Sequence, residues 1–189
     1  MKVLSFDPGT VNFSYAVLGI ENLKIYKVGM LNSTLNKFNS LKQYKRFSNI
    51  IQRLLDEYKP DYVVTERFQN RGRFSGSGVE YVTAMNFIIK GLFNDTQLII
   101  ASLWKSYMRR KYLSDREEQL KFIKKNKKKY IFEMEHIIDS KTLNEHECDA
   151  LGICLWKVET LRNETGLLLK LNDKIIKGRI TYDRITPRL

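Results

Sequence analysis

Apolar residues cluster in short alternating runs at the start of the chain and recur at spacings of three and four further on. Val3-Leu4-Ser5-Phe6 reads as a short strand ending in Asp7, Pro8-Gly9-Thr10 as a turn, and Val11 to Leu18 as a second strand. Proline sets φ and glycine permits φ > 0, so the turn is tight and the direction of the acid is fixed. Leu23, Ile25, Tyr26 and Val28 carry a third strand to Met30, with Glu21-Asn22 as its turn, and the polar stretch Leu31 to Asn39 reads as a loop. From Phe38 to Tyr58 the apolar positions Leu41, Tyr44, Phe47, Ile50, Ile51, Leu54 and Leu55 predict an amphipathic helix that Lys59-Pro60 ends.

Asp61 to Glu66 is β-branched and predicts a fourth strand, again ending in an acid. Arg67 to Gly78 is polar, basic and glycine-containing. A helix is predicted over Val79 to Phe93 and a fifth strand over Gln97 to Ala101, after which Trp104 to Tyr112 is basic and aromatic. Ser114-Asp115-Arg116-Glu117 has capping-box spacing and opens a helix to about Met134. A long helix follows from Glu145 to about Leu161, and Leu167 to Tyr182 reads as a hairpin around Asn172-Asp173 with a loose tail. A strand meander followed by alternating helices and strands predicts an α/β fold, a mixed sheet flanked by helices. No repeat or linker divides it, so residues 1–163 form one domain and 164–189 extend it.

Composition changes this picture in one respect. The chain has 189 residues, 43% hydrophobic and 29% charged, but 33 Lys and Arg against 21 Asp and Glu leave a net charge of +12. Such a surface calls for an anionic partner, nucleic acid before an anionic membrane. No apolar run approaches the roughly 18 residues of a membrane span, and no signal peptide precedes the first strand. Cys148 and Cys154 share a helix at a spacing unsuited to a disulfide, and with His136 and His146 they make no zinc pattern. They read as reduced, buried cysteines of an intracellular protein.

Three acids have the placement that chemistry requires. If the first and fourth strands are parallel neighbours, Asp7 and Glu66 emerge at the same carboxyl edge, and the last helix can lay Asp149 against it. Carboxylates gathered without balancing lysines repel one another and raise each other's pKa, and a divalent cation relieves this. Oxygen ligands with at most one imidazole favour Mg²⁺ or Mn²⁺ over zinc. Two such ions about 3.5–4 Å apart serve phosphodiester hydrolysis. Taken singly, each acid has a plainer role: a turn or cap for Asp7, a paired acid for Glu66, a helix-start acid favoured by the macrodipole for Asp149.

The stretches Leu4-Ser5-Phe6-Asp7-Pro8-Gly9-Thr10, Val63-Val64-Thr65-Glu66 and His146-Glu147-Cys148-Asp149-Ala150-Leu151-Gly152 together resemble the RuvC-type Holliday junction resolvases of the RNase H-like superfamily. The likeness covers roughly residues 1 to 160 and looks closer to the short phage-encoded members. It implies an RNase H-like mixed five-stranded sheet and a homodimer. It also implies paired nicking of four-way and related branched DNA, dependent on Mg²⁺ or Mn²⁺ with two ions per site. The setting is cytoplasmic, in the host cell for a phage-encoded enzyme. Carried over, Asp7, Glu66, His146 and Asp149 are the catalytic, metal-binding positions. Helical spacing alone does not choose between His146 and Glu145 as the partner of Asp149; the motif favours His146.

Basic residues close to these acids are candidates for holding DNA. Arg67, Gln69, Arg71 and Arg73 follow Glu66 with Phe68 and Phe74 interleaved, suited to phosphates and to stacking on an unpaired base. Trp104, Lys105, Tyr107, Arg109, Arg110 and Lys111 form a second patch, in which Trp104 serves equally as core. Lys121, Lys124, Lys125, Lys127, Lys128 and Lys129 are either a solvated helix face or a track for a DNA arm. Three other readings share parts of the pattern. Actin-like ATPases and sugar kinases also open with a strand, an acid and a Gly-Thr turn, but need two such domains. An RNase H-fold nuclease for RNA–DNA hybrids or other branched substrates shares the acids, and a non-catalytic junction-binding protein shares the charge.

Overall fold

The computed structural model describes residues 1–9, 12–32, 41–67, 77–112 and 143–164. Over these residues the elements follow in chain order: β1 (Lys2–Pro8), β2 (Asn12–Gly19), β3 (Ile25–Asn32), α1 (Leu41–Tyr58), β4 (Tyr62–Arg67), α2 (Ser77–Leu92), β5 (Gln97–Ile100), α3 (Ala101–Tyr112) and α4 (Glu145–Glu164). The five strands form one sheet in the order β3-β2-β1-β4-β5. The meander β1-β2-β3 is antiparallel, while β4 lies parallel to β1 and β5 parallel to β4. The mixed five-stranded sheet flanked by helices is the fold expected from the residues.

The central strand β1 is covered on both faces, so its side chains alternate between two cores. Leu4 and Phe6 join Phe13, Val17 and Val63 against the α1 and α2 side chains Phe47, Ile51, Leu54, Met85 and Ile89. Val3 joins Ala16, Leu18, Val64 and Ile99 against Trp104 and Met108 of α3 and Cys148, Leu151, Cys154 and Leu155 of α4. Fully burying each large apolar side chain is worth about 1.5–3 kcal/mol. In α1 one face is buried at Phe47, Ile51, Leu54, Leu55 and Tyr58 while Lys45, Arg46, Arg53 and Asp56 are exposed, the amphipathic pattern read from the sequence. α4 is buried over most of its surface, including both reduced cysteines.

Side chains stitch α4 to the sheet. The Ser5 hydroxyl donates to the Ala150 carbonyl at 2.6 Å, and Cys154 Sγ approaches the Val3 carbonyl at 3.4 Å. At the far end of α4 the buried Arg162 donates from Nε to the Ile20 carbonyl at 2.6 Å and from a terminal nitrogen to the Glu21 carbonyl at 2.6 Å. That ties α4 to the β2–β3 turn.

Several sequence expectations shift. Ala101–Tyr112, which reads in sequence only as a basic aromatic segment, is the helix α3, and it follows β5 without an intervening loop. β3 starts at Ile25 rather than Leu23, because Leu23 takes φ 57° within the turn. Lys59 also takes a left-handed φ of 44° and donates to the Leu55 carbonyl at 2.9 Å, so a C-terminal cap precedes the Pro60 stop. Gly9 needs no left-handed φ. A β-carbon there would lie 2.3 Å from the Asn12 carbonyl oxygen, so glycine serves a close backbone approach. The capping-box helix from Ser114, the lysine run from Lys121 and the hairpin and tail beyond Leu167 lie outside the described residues. Among the described residues, no helix is long and apolar enough to cross a membrane.

Candidate active site

Strand register brings the first two acids together. β1 and β4 run parallel with Phe6 opposite Thr65, so Asp7 and Glu66 follow side by side at the carboxyl ends. Both continue the alternation that sends Val3 and Val64 into the core under α3 and α4. The end of β4 is fixed from its other face. The buried Asn86 of α2 accepts from the Thr65 hydroxyl at 2.8 Å and donates to the Glu66 backbone carbonyl at 3.1 Å. The sequence signal for Asn86 is a lone amide between the apolar residues Met85 and Phe87.

The third acid arrives on α4, whose start is a capping box. The Asn144 side chain accepts from the Glu147 N–H at 3.0 Å, and the Glu147 carboxylate accepts from the Asn144 N–H at 3.0 Å. The Asn-x-x-Glu spacing is a readable signal for this helix start. His146 and Asp149, three apart, present themselves to the sheet edge from the first two turns. His146 Nδ1 stands 3.5 Å from Asp7 Oδ2. Glu145 contributes its negative charge to the neighbourhood of both Asp149 and His146.

α3 supplies two partners from adjacent positions. Trp104 is fully buried, and its indole N–H donates to Glu66 Oε2 at 2.7 Å. Lys105 Nζ donates to Asp149 Oδ2 at 2.8 Å and lies 4.8 Å from the centre of the Trp104 ring. Neither partnership is visible in the sequence pattern. Trp104, which the pattern suits equally to core and to DNA, is core with its indole N–H turned to Glu66. The acids are also not without a balancing lysine: Lys105, expected among the DNA contacts, is the residue that balances Asp149. Arg67 is exposed at the end of β4, next to Glu66. The backbone of Arg109, Arg110 and Lys111 is in α3, their side chains outside the described residues, as are Gln69, Arg71, Arg73 and Phe74.

The electrostatics follow from the crowding. Burial, reinforced by the charge of Asp7, pushes the Glu66 carboxyl up to about 7, against the opposing pull of Lys105 and the indole N–H. Burial likewise lifts Asp149 to about 6, although Lys105 pulls it down. The contact with Asp7 holds His146 above the ordinary imidazole value in spite of its burial. For Lys105 burial acts downward, but Asp149, Glu66 and Asp7 together outweigh it and hold the ammonium above its usual value.

Among the described residues, no three His, Cys, Asp or Glu side chains converge closely enough to grip an ion as they stand. The donor set nevertheless suits one. Three carboxylates and an imidazole, two of the acids with pKa values raised by burial and by the charge of Asp7, have the composition that a hard divalent cation stabilises.

Solved structures match this chain over most of its length. RuvC of Thermus thermophilus in complex with a Holliday junction substrate aligns with a TM-score of 0.66 at 16% identity, over 87% of this chain and 97% of that one. A second T. thermophilus RuvC structure aligns with a TM-score of 0.61 at 15% identity, over 88% and 97%. The yeast mitochondrial Holliday junction resolvase Ydc2 aligns with a TM-score of 0.55 at 15% identity, over 88% and 86%. At these identities the likeness is one of fold. No curated protein matches the sequence. The sequence model for the poxvirus A22 protein matches residues 1–159, from β1 to the body of α4. With the whole candidate site inside that match and the sheet of the RuvC-type resolvases beneath it, the chain belongs to the poxvirus A22 protein family.

Proposed function

We propose that the protein is a Holliday junction-resolving endonuclease that hydrolyses phosphodiesters at four-way and related branched DNA. The observation that carries the reading is that Asp7, Glu66, His146 and Asp149 lie at one sheet edge, supplied by three separate elements. Family membership and the RuvC-type fold support it.

Asp7, Glu66 and Asp149, with His146, are the residues that would hold divalent cations, Mg²⁺ or Mn²⁺, two per site. When bound, such ions supply an activated water and charge stabilisation at the attacked phosphate and the leaving oxygen. The chain's own groups do the positioning. The Trp104 indole holds one oxygen of Glu66 and leaves the other to serve the site. Asp7 beside His146 favours its protonated form, so this is the group best placed to hold or move a proton. Arg67, Gln69, Arg71, Arg73 and Phe74, with Lys105, Arg109, Arg110 and Lys111, are the proposed contacts to phosphate and to unstacked bases at the branch. Two related cuts in a four-armed substrate call for two sites, and a two-fold homodimer provides them.

The test is incubation with synthetic four-way junction, Y-fork, flap, duplex and RNA–DNA hybrid, in Mg²⁺ and in EDTA. Mg²⁺-dependent cleavage that prefers the junction is expected. Asp7→Asn should lower the rate on the order of 10²–10³-fold while leaving junction binding in EDTA intact. Junctions left uncut in Mg²⁺, with Asp7→Asn indistinguishable from the natural protein, would sink the proposal. Preference for the hybrid or flap would reassign the substrate while keeping the site.

A further inference from the structure

We infer that the Lys105 ammonium is a resident counter-ion of the acid cluster. It offsets part of the cluster's charge in the cation-free protein and competes with the divalent cation for it, so that Lys105 weakens cation binding rather than assisting it. The inference rests on the reading of Asp7, Glu66 and Asp149 as the cation seat.

Asp149 is enclosed, with 14% of its side chain exposed, and carboxylates withdrawn from water need an opposing charge. Lys105 provides it at 2.8 Å, and Glu66 and Asp7 are also near enough to act on the same ammonium. The same ammonium therefore acts on three acids, with the His146 imidazole beside Asp7 as a second basic group at the cluster. A divalent ion seated among those acids would stand beside the ammonium, and two positive charges cannot share the place without each weakening the other's hold. Such coupling is reciprocal.

The anatomy of α3 permits the exchange. Trp104 is locked in the core and bonded to Glu66, so the root of Lys105 is fixed. Its four-carbon stem is flexible and its side chain is 37% exposed, so the ammonium can leave Asp149 for solvent or for a DNA phosphate without moving the helix. A lysine that only anchored Asp149 for its task would act in the opposite direction, because its removal would loosen a cation ligand.

The experiment measures Mg²⁺ affinity by calorimetry, and melting temperature in EDTA and in saturating Mg²⁺, on the full chain. The samples are the natural protein, Lys105→Met, Lys105→Gln, Lys105→Arg and Asp7→Asn. Lys105→Met and Lys105→Gln are expected to bind Mg²⁺ more tightly, on the order of 10-fold. They should also show a wider gap between the two melting temperatures, because the uncompensated acids destabilise only the cation-free state. Lys105→Arg, which keeps the charge, should behave as the natural protein does. Lys105→Gln retains a hydrogen-bond donor and serves if Lys105→Met does not fold. Unchanged or weaker Mg²⁺ binding by the neutral variants, with Asp7→Asn still deficient, would overturn the inference alone. Equal Mg²⁺ binding by the natural protein and Asp7→Asn would remove the cation seat itself, and the inference with it.

Discussion

Glu66 shows at the scale of one residue how the site strains against the fold. Its carboxyl is lifted to about 7, first by burial and then by Asp7. A folded-state pKa above the unfolded value means that the native protein binds the proton more tightly. Its contribution to stability is therefore greatest at acid pH and is lost as pH rises from about 4.5 to about 7. Asp149, lifted to about 6, acts in the same direction. Glu66→Gln keeps the shape and the acceptor for the Trp104 N–H but carries no charge. In EDTA it should match the natural protein near pH 4 and exceed it by about 1–3 kcal/mol above pH 7. Urea unfolding across that range is the measurement. Saturating Mg²⁺ at pH 8 should reverse the order, since an amide offers the cation no charge. A variant equally stable at both pH extremes would mean that Glu66 is not strained.

At the scale of elements, the site depends on the first turns of one helix. His146 and Asp149 lie where an uncapped helix frays, and the reciprocal Asn144–Glu147 bonds hold that end. Asn144→Ala should cost about 1 kcal/mol by urea unfolding. It should also weaken Mg²⁺ binding, whereas Thr160→Ala, which removes a hydroxyl bond to the Trp156 carbonyl near the other end of α4, should leave binding unchanged. Equal effects on binding would mean that the cap matters only to global stability. The same scale explains why one helix is hard to read. α1 announces itself by periodicity and by its proline stop. α3 begins at Ala101 directly after Ile100, with no cap or breaker between strand and helix, and so its twelve residues carry no punctuation.

At the scale of the whole molecule, an acidic site sits on a chain of net charge +12. The acids repel the DNA backbone they are meant to approach, so the basic surface must provide the attraction. If six or more phosphates are neutralised, junction affinity in EDTA should fall by about 10³-fold or more between 50 and 200 mM salt. Replacing Lys124, Lys125, Lys127 and Lys128 with Gln should flatten the dependence of log affinity on log salt by about one unit for each phosphate that these lysines neutralise. Fluorescence anisotropy over a salt series measures both. A slope unaffected by the four substitutions would assign this run to a solvated face.

What the sequence determined by itself is what depends on near neighbours. Strand and helix periods follow from backbone geometry over a few residues, which is why the elements of the sheet, the acids at the ends of β1 and β4 and the late His-x-x-Asp are all legible. Net charge, a sum over the chain, needs no fold to be read. Tertiary structure alone decided which groups meet the acids. Trp104 reaches Glu66 across 38 positions and Lys105 reaches Asp149 across 44. Those meetings require β5 to lie parallel to β4 and α3 to turn back under α4. Nothing local distinguishes Lys105 from Arg109, Arg110 or Lys111. Its role among the acids was settled by the path of the chain, because an ion pair depends on distance in space and not on spacing in sequence.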